Sequence, residues 1–85
     1  MVLEGPCVYL LRCADGSLYT GWSSQLERRM QRHRAGTASR YTASRLPVEL
    51  ALALPMDSAS HARREEARIK RLDRAAKLDL IAARV

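Results

Sequence analysis

No stretch of this chain approaches the roughly eighteen consecutive apolar residues of a membrane span, and no charged-then-apolar leader opens it. Cysteine is nearly absent. Cys7 and Cys13 fall six apart on one predicted strand, which puts their Cα atoms roughly 20 Å apart, far beyond disulfide reach. They read as small buried hydrophobes in a reducing cytoplasm, and with His33 and His61 they form no zinc pattern. Phenylalanine is missing, so Trp22, Tyr9, Tyr19 and Tyr41 are the whole aromatic set. No internal repeat or low-complexity segment is present. Residues 1–85 are therefore expected to form one domain with a marginal core.

Lysine is scarce as well: two, against thirteen arginines, within a formal net charge of +6. An excess of this size on so short a chain favours a polyanionic partner, because neutralising phosphates releases counterions. Basic residues also solvate helices without binding anything, so charge alone does not decide the point.

What is present is organised around Cys7 to Trp22. Two runs rich in β-branched, aromatic and aliphatic residues flank Ala14-Asp15-Gly16-Ser17, a strong hairpin signal. If Asp15-Gly16 is a two-residue turn, Tyr9 falls opposite Trp22 and the two tyrosines point to opposite faces. If the loop is Ala14-Asp15-Gly16, with Gly16 left-handed in a bulge, Cys13 pairs with Ser17. Tyr9 then faces Gly21 and shares a face with Tyr19. The second arrangement is the expected one, since both tyrosines are wanted at one phosphate.

Met1 to Pro6 reads as a lead-in, and Trp22 as the end of the second strand, closing one side of the core. Ser24 with Glu27 forms a capping box for a helix running to Arg34 and stopping at Gly36. Leu26 and Met30 define its buried stripe, Arg29 and His33 lie at the stripe's edge, and Arg28 and Arg32 point away. Thr37 to Leu46 shows no helical period and reads as an exposed basic loop. There Arg40, Tyr41 and Arg45 are candidate contacts to phosphates and bases, with a satellite core role for Tyr41 equally open. The alternating run Val48 to Leu54 reads as a third strand ended by Pro55. A helix from Ser58 to about Leu72 carries Glu65 and Glu66 on its apolar side. Asp73 caps a last helix to about Arg84, with Ala75, Leu78, Ile81 and Ala82 as its packing face.

The order of these parts resembles the GIY-YIG nuclease superfamily, and most closely its small stand-alone, single-domain bacterial branch. Val8-Tyr9 stands for the first motif, Tyr19-Thr20-Gly21 for the second. Arg29 and Glu66 match the family's helical arginine and metal-binding glutamate. The resemblance covers roughly residues 6 to 82. It implies an α+β (α/β) fold, a three-stranded antiparallel sheet flanked by helices in the order β-β-α-β-α-α, with these positions converging in one shallow basic groove. Cys7 replaces the glycine of the first motif, Thr20 replaces the isoleucine of the second, and the polar residue after the glutamate has no sure counterpart. The extra DNA-binding modules of many relatives are not expected here.

The implied activity is a metal-dependent endonuclease cutting DNA phosphodiesters, with branched, damaged or single-stranded structures as candidate substrates in repair or recombination. Glu66 would hold one Mg²⁺ or Mn²⁺ ion. Arg29 would stabilise charge on the phosphate. Tyr9 would deprotonate or orient the attacking water, supported by Tyr19. His33 would assist proton transfer or simply cap the packing edge. Arg28, Arg32, Arg40, Tyr41, Arg45 and Lys70 would contact the nucleic acid, and a protein partner could supply specificity. The other readings are a binding module of the same fold with little turnover, and a structural basic protein associated with RNA.

Overall fold

A computed structural model describes residues 4–83. Its elements are β1 (Glu4–Arg12), β2 (Leu18–Gln25), α1 (Leu26–Arg34), α2 (Arg40–Ala43), β3 (Glu49–Pro55), α3 (Ala59–Lys70) and α4 (Arg74–Ala82). The strands form one antiparallel sheet in the order β2-β1-β3. The expected α+β architecture holds, with one addition. The stretch read as a basic loop contains the short helix α2, capped where the Ser39 Oγ accepts from the Thr42 backbone N–H at 3.1 Å.

The hairpin takes the three-residue loop. Gly16 sits at φ +84°, the Cys13 N–H donates to the Ser17 carbonyl, and Tyr9 pairs with Gly21. Alternation then divides the core in two. Cys7, Tyr9, Leu11 and Cys13 meet Leu26 and Met30 of α1 on one face. Val8 and Leu10 meet Leu52, Ala62 and Ile69 on the other, where Trp22, Leu72, Leu80 and Ile81 close the margin.

Several local expectations are corrected. Met1 to Leu3 of the lead-in lie outside the described residues, and the strand is already formed at Glu4. Pro6 lies in β1 where its pairing with β2 slips, the kind of place a central strand tolerates proline. Ser24 does not cap α1. β2 continues through Ser24 to Gln25, which is the N-cap without a side-chain bond, so sheet pairing outweighs the capping box. The stop at Gly36 is correct: φ is +78°, and Gly36 and Thr37 N–H groups return to the His33 and Arg32 carbonyls. His33 is not at the edge of the α1 stripe but buried within it.

On β3 a register shift between Leu10 and Leu11 breaks the alternation, and Leu50 is 42% exposed. On α4, Leu80 and Ile81 pack while Leu78, Ala75 and Ala82 stay exposed; the end expected near Arg84 lies outside the described residues.

One buried group among the described residues has no partner. The Thr20 Oγ1 faces the apolar side of the sheet without a hydrogen bond. An unpaired buried hydroxyl costs about 1–3 kcal/mol. Thr20→Val keeps the shape and removes that cost, so stability should rise by about 1 kcal/mol, or several degrees in Tm for a domain of this size. A fall in Tm on thermal unfolding would contradict this.

Candidate active site

Tyr9 lies on the central strand, 1% exposed, yet its hydroxyl reaches across neighbouring β2. It can do so because its partner there is Gly21. A Cβ on Gly21 would stand 2.6 Å from the Tyr9 hydroxyl oxygen and 2.7 Å from Cζ. The glycine is needed for space rather than for backbone conformation.

Beyond Gly21 the hydroxyl meets Nε2 of His33 at 2.8 Å. Nδ1 of His33 meets the Thr42 Oγ1 at 2.9 Å, and that oxygen meets the Ser39 Oγ at 2.9 Å. The result is a buried polar line from the sheet to α2. Tyr19 shares this face, as expected. Its ring meets His33 edge-on at 5.4 Å between centroids and stacks on Tyr41 at 5.9 Å.

The electrostatics follow from burial. The His33 imidazole is lowered to about 4, first by burial and then by the charges of Arg29 and Arg32. Burial, with Tyr19 nearby, raises the Tyr9 phenol well above its ordinary value, while Arg29 pulls it down. At neutral pH both groups are therefore uncharged, and Tyr9 is a proton holder rather than a free phenolate.

Arg29 is half-buried at the mouth of this line. With Arg28, Arg32, Ser23 and Gln25 it borders an open cleft of about 340 Å³. The described side-chain partners of Arg28 and Arg32 are neutral: the Gln25 side-chain oxygen at 3.4 Å and the Thr37 carbonyl at 3.1 Å. Three guanidiniums around one hollow suit phosphate oxygens.

The other expected contacts divide. Arg40 is exposed on the first turn of α2. Arg45 is engaged within the chain: its Nε donates to the Asp15 carboxylate at 3.0 Å, and its guanidinium lies 3.8 Å above the Tyr41 ring. Tyr41 is thus held between Tyr19 and Arg45 contacts, tying α2 to the hairpin turn.

Glu66 and Lys70 belong to α3, which packs on the Val8 and Leu10 face, opposite the tyrosines. The single groove across one face that the resemblance implied is not what the fold builds. Along α3, Arg63, Glu66 and Lys70 lie on one flank of the Ala62–Ile69 line, and Glu65 and Arg68 on the other. The Arg63 guanidinium lies 5.9 Å from the Trp22 ring, so the Glu66 flank faces β2. The arginine cleft and the Glu66 flank of α3 thus lie against the same edge strand, β2, from its two sides.

Glu65 and Glu66 also differ in occupation. Glu65 is gripped by Arg68 through three bonds of 2.9–3.1 Å, which holds its carboxyl below the usual range. Among the described residues Glu66 has only Lys70, at 3.8 Å, and its side chain is 21% exposed against 26% for Glu65, so the partner rather than the exposure separates the two. No cluster of three metal-ligating side chains exists among the described residues. A partly exposed carboxylate with so distant a partner fits Mg²⁺ or Mn²⁺, hard ions that keep several waters and take one or two protein carboxylates. Thr42 and Ser39 were not anticipated, since a four-residue helix has no period to read.

A model of the GIY-YIG catalytic domain matches residues 5–79. The chain belongs to the GIY-YIG family. Among its relatives, a UPF0213 protein of Syntrophus aciditrophicus is 47% identical over 75 residues, covering 87% of this chain and 86% of the relative. One of Oceanobacillus iheyensis is also 47% identical, over 78 residues, covering 92% and 91%. The solution NMR structure of a UPF0213 protein from Bacillus halodurans superposes with a TM-score of 0.60 at 36% identity, over 92% of this chain and 83% of that one. In GIY-YIG terms, Tyr9 carries the first motif and Tyr19 to Gly21 the second, and the glycine of the second is the one that admits Tyr9.

The lowered His33 value sets a pH dependence. Unfolded, His33 takes a proton near pH 6.5; folded, only near 4. Stability is full above about 6.5 and falls as pH drops toward 4, by about 3 kcal/mol in all. The urea midpoint should decline across that window, with the His33 ring titrating by NMR near 4. An ordinary midpoint near 6.5 would contradict the buried, neutral assignment.

Proposed function

We propose that this chain is a divalent-metal-dependent endonuclease that hydrolyses DNA phosphodiester bonds. The observation that carries the reading is the Tyr9–His33 hydrogen bond behind Gly21, opening beside a cleft bordered by three arginines. Membership of a family of nuclease domains supports phosphodiester hydrolysis as the reaction.

Arg28 and Arg32 bind phosphates and hold the strand in register, and Arg40 extends the contact surface. Arg29 presents its planar fork to the non-bridging oxygens as charge develops. An attacking water gives a proton to the Tyr9 oxygen as Tyr9 passes its own to Nε2 of His33. The water oxygen bonds to phosphorus and the bond to the leaving oxygen breaks with its electron pair on that oxygen, which takes a proton from solvent; the proton on His33 returns through Tyr9 to solvent. Glu66 would hold the Mg²⁺ or Mn²⁺ ion, which when bound relieves charge on the phosphate and leaving oxygen. Tyr19 packs against His33 and covers its ring, leaving the Tyr9 hydroxyl to be reached from the arginine cleft. Tyr41 and Arg45 serve the reading better as the brace of Tyr19 than as a stacking platform, and Lys70 better as the neighbour of Glu66.

Substrate contact follows the edge of β2, which suits a distorted or single-stranded segment better than a flat duplex face. A role in repair or recombination, with a partner adding specificity, fits so small an interface. No helix among the described residues is long and apolar enough to cross a membrane, and two buried free cysteines suit a reducing cytoplasm.

A plasmid-nicking assay with Mg²⁺ or Mn²⁺ against EDTA tests the proposal. Glu66→Gln should abolish metal-dependent nicking with fold and DNA binding nearly intact, while Glu65→Gln stays within about threefold of the parent, because Glu65 is already committed to Arg68. Arg29→Ala should lower turnover by about a hundredfold or more. DNA binding without nicking under any metal would favour the binding module instead.

A further inference from the structure

We propose that Thr42, carried by α2 and backed by Ser39, is a positioning residue that holds His33 protonated on Nδ1. Nε2 is then left as the acceptor of the Tyr9 proton. Only the effect on rate rests on the nuclease reading above; the tautomer does not.

A neutral imidazole has one N–H and one lone pair, and the hydrogen bond at one nitrogen selects the role of the other. Burial and the charges of Arg29 and Arg32 keep His33 neutral at ordinary pH. Two assignments of the line are then possible.

In the first, the Tyr9 O–H donates to Nε2, Nδ1–H donates to the Thr42 Oγ1, and the Thr42 O–H donates onward. Its acceptors are the Ser39 Oγ at 2.9 Å and the Ser39 carbonyl at 3.5 Å. The Ser39 Oγ already accepts from the Thr42 backbone N–H, so the end of the line is anchored by the cap of α2. Every buried proton of the line has an acceptor, and the half-buried Ser39 hydroxyl is free to donate to solvent.

In the second, Nε2–H donates to Tyr9 and the Thr42 O–H donates to Nδ1. The Tyr9 hydroxyl proton is then left without an acceptor among the described residues, in a residue that is 1% exposed. Until water or substrate enters from the cleft, that assignment leaves a buried donor unmet, which favours the first.

Free imidazole in histidine prefers its proton on Nε2, so the first assignment has to be imposed. Thr42 is fully buried and placed to impose it. This also gives α2 a purpose. Four residues cannot hold a helix by propensity, but one turn capped by Ser39 aims Thr42 at His33 and Tyr41 at Tyr19. When His33 receives the Tyr9 proton, Nδ1–H stays on the Thr42 oxygen, so the ring does not turn during the transfer.

The tautomer is read directly in ¹⁵N-labelled protein at pH 7 from multiple-bond ¹H–¹⁵N correlations of the His33 ring. The parent should show a protonated Nδ1 and an unprotonated Nε2. Thr42→Val keeps the shape, removes the acceptor, and should move the proton to Nε2. It should also lower kcat by at least about tenfold with KM little changed. Thr42→Ser should restore both signatures.

A parent protonated on Nε2, or a folded Thr42→Val that keeps Nδ1 protonated, would overturn the proposal. If Thr42→Val does not fold, the parent and Thr42→Ser spectra decide it. Expected tautomers in a parent that cuts no DNA would uphold the positioning role and sink the nuclease reading instead.

Discussion

The hydrogen bond between Tyr9 and His33 is the interaction on which the rest of the tyrosine face depends. It joins a residue of the central strand to the helix that follows the edge strand, so it must cross β2. That crossing is open only where β2 has no side chain, at Gly21. Helix α1 begins directly after β2 and turns back over the sheet, which brings position 33 above position 21. Helix α2 then supplies the hydroxyl that completes the line. A buried pair of this kind adds only about 1 kcal/mol net per bond, but breaking one leaves a group whose desolvation costs more. The network therefore specifies one arrangement more than it stabilises the domain.

The two faces of the sheet do different work. The Val8 and Leu10 face, covered by α3, is apolar apart from the unpaired Thr20 hydroxyl, and it holds the molecule together. The Tyr9 face mixes apolar packing from Leu26 and Met30 with the polar line and its arginine mouth. Glu66 belongs to the other side of the sheet, on the α3 flank marked by the contact of Arg63 with Trp22 of β2. What separates the two neighbouring carboxylates of α3 is their partners: Arg68 grips Glu65 closely, while Glu66 meets Lys70 only at 3.8 Å.

Much of this was legible in the residues. Asp15-Gly16 between two apolar runs predicts the hairpin, and the wish to place both tyrosines together selects the three-residue loop that puts Tyr9 against Gly21. Gly36 marks the end of α1. Other features were hidden for identifiable reasons. Ser24 and Glu27 form a plausible capping box, but pairing with β1 carries β2 past it. With only Leu26 and Met30 to define the α1 stripe, its centre could not be fixed closely enough to put His33 inside. Thr42 and Ser39 lie in a helix of one turn, where no period exists. Leu50 follows a register slip that alternation cannot foresee. The division of labour between Glu65 and Glu66 depends on Arg68, whose grip on Glu65 is a matter of rotamer rather than pattern.

The most direct measurement is the NMR titration of His33 in folded Gly21→Ala. The added Cβ has no room beside the Tyr9 hydroxyl, so the ring must leave His33 and admit water. The account predicts that the His33 midpoint rises from about 4 toward the ordinary value near 6.5, while hairpin cross-strand contacts persist. A folded Gly21→Ala whose His33 still titrates near 4 would contradict it.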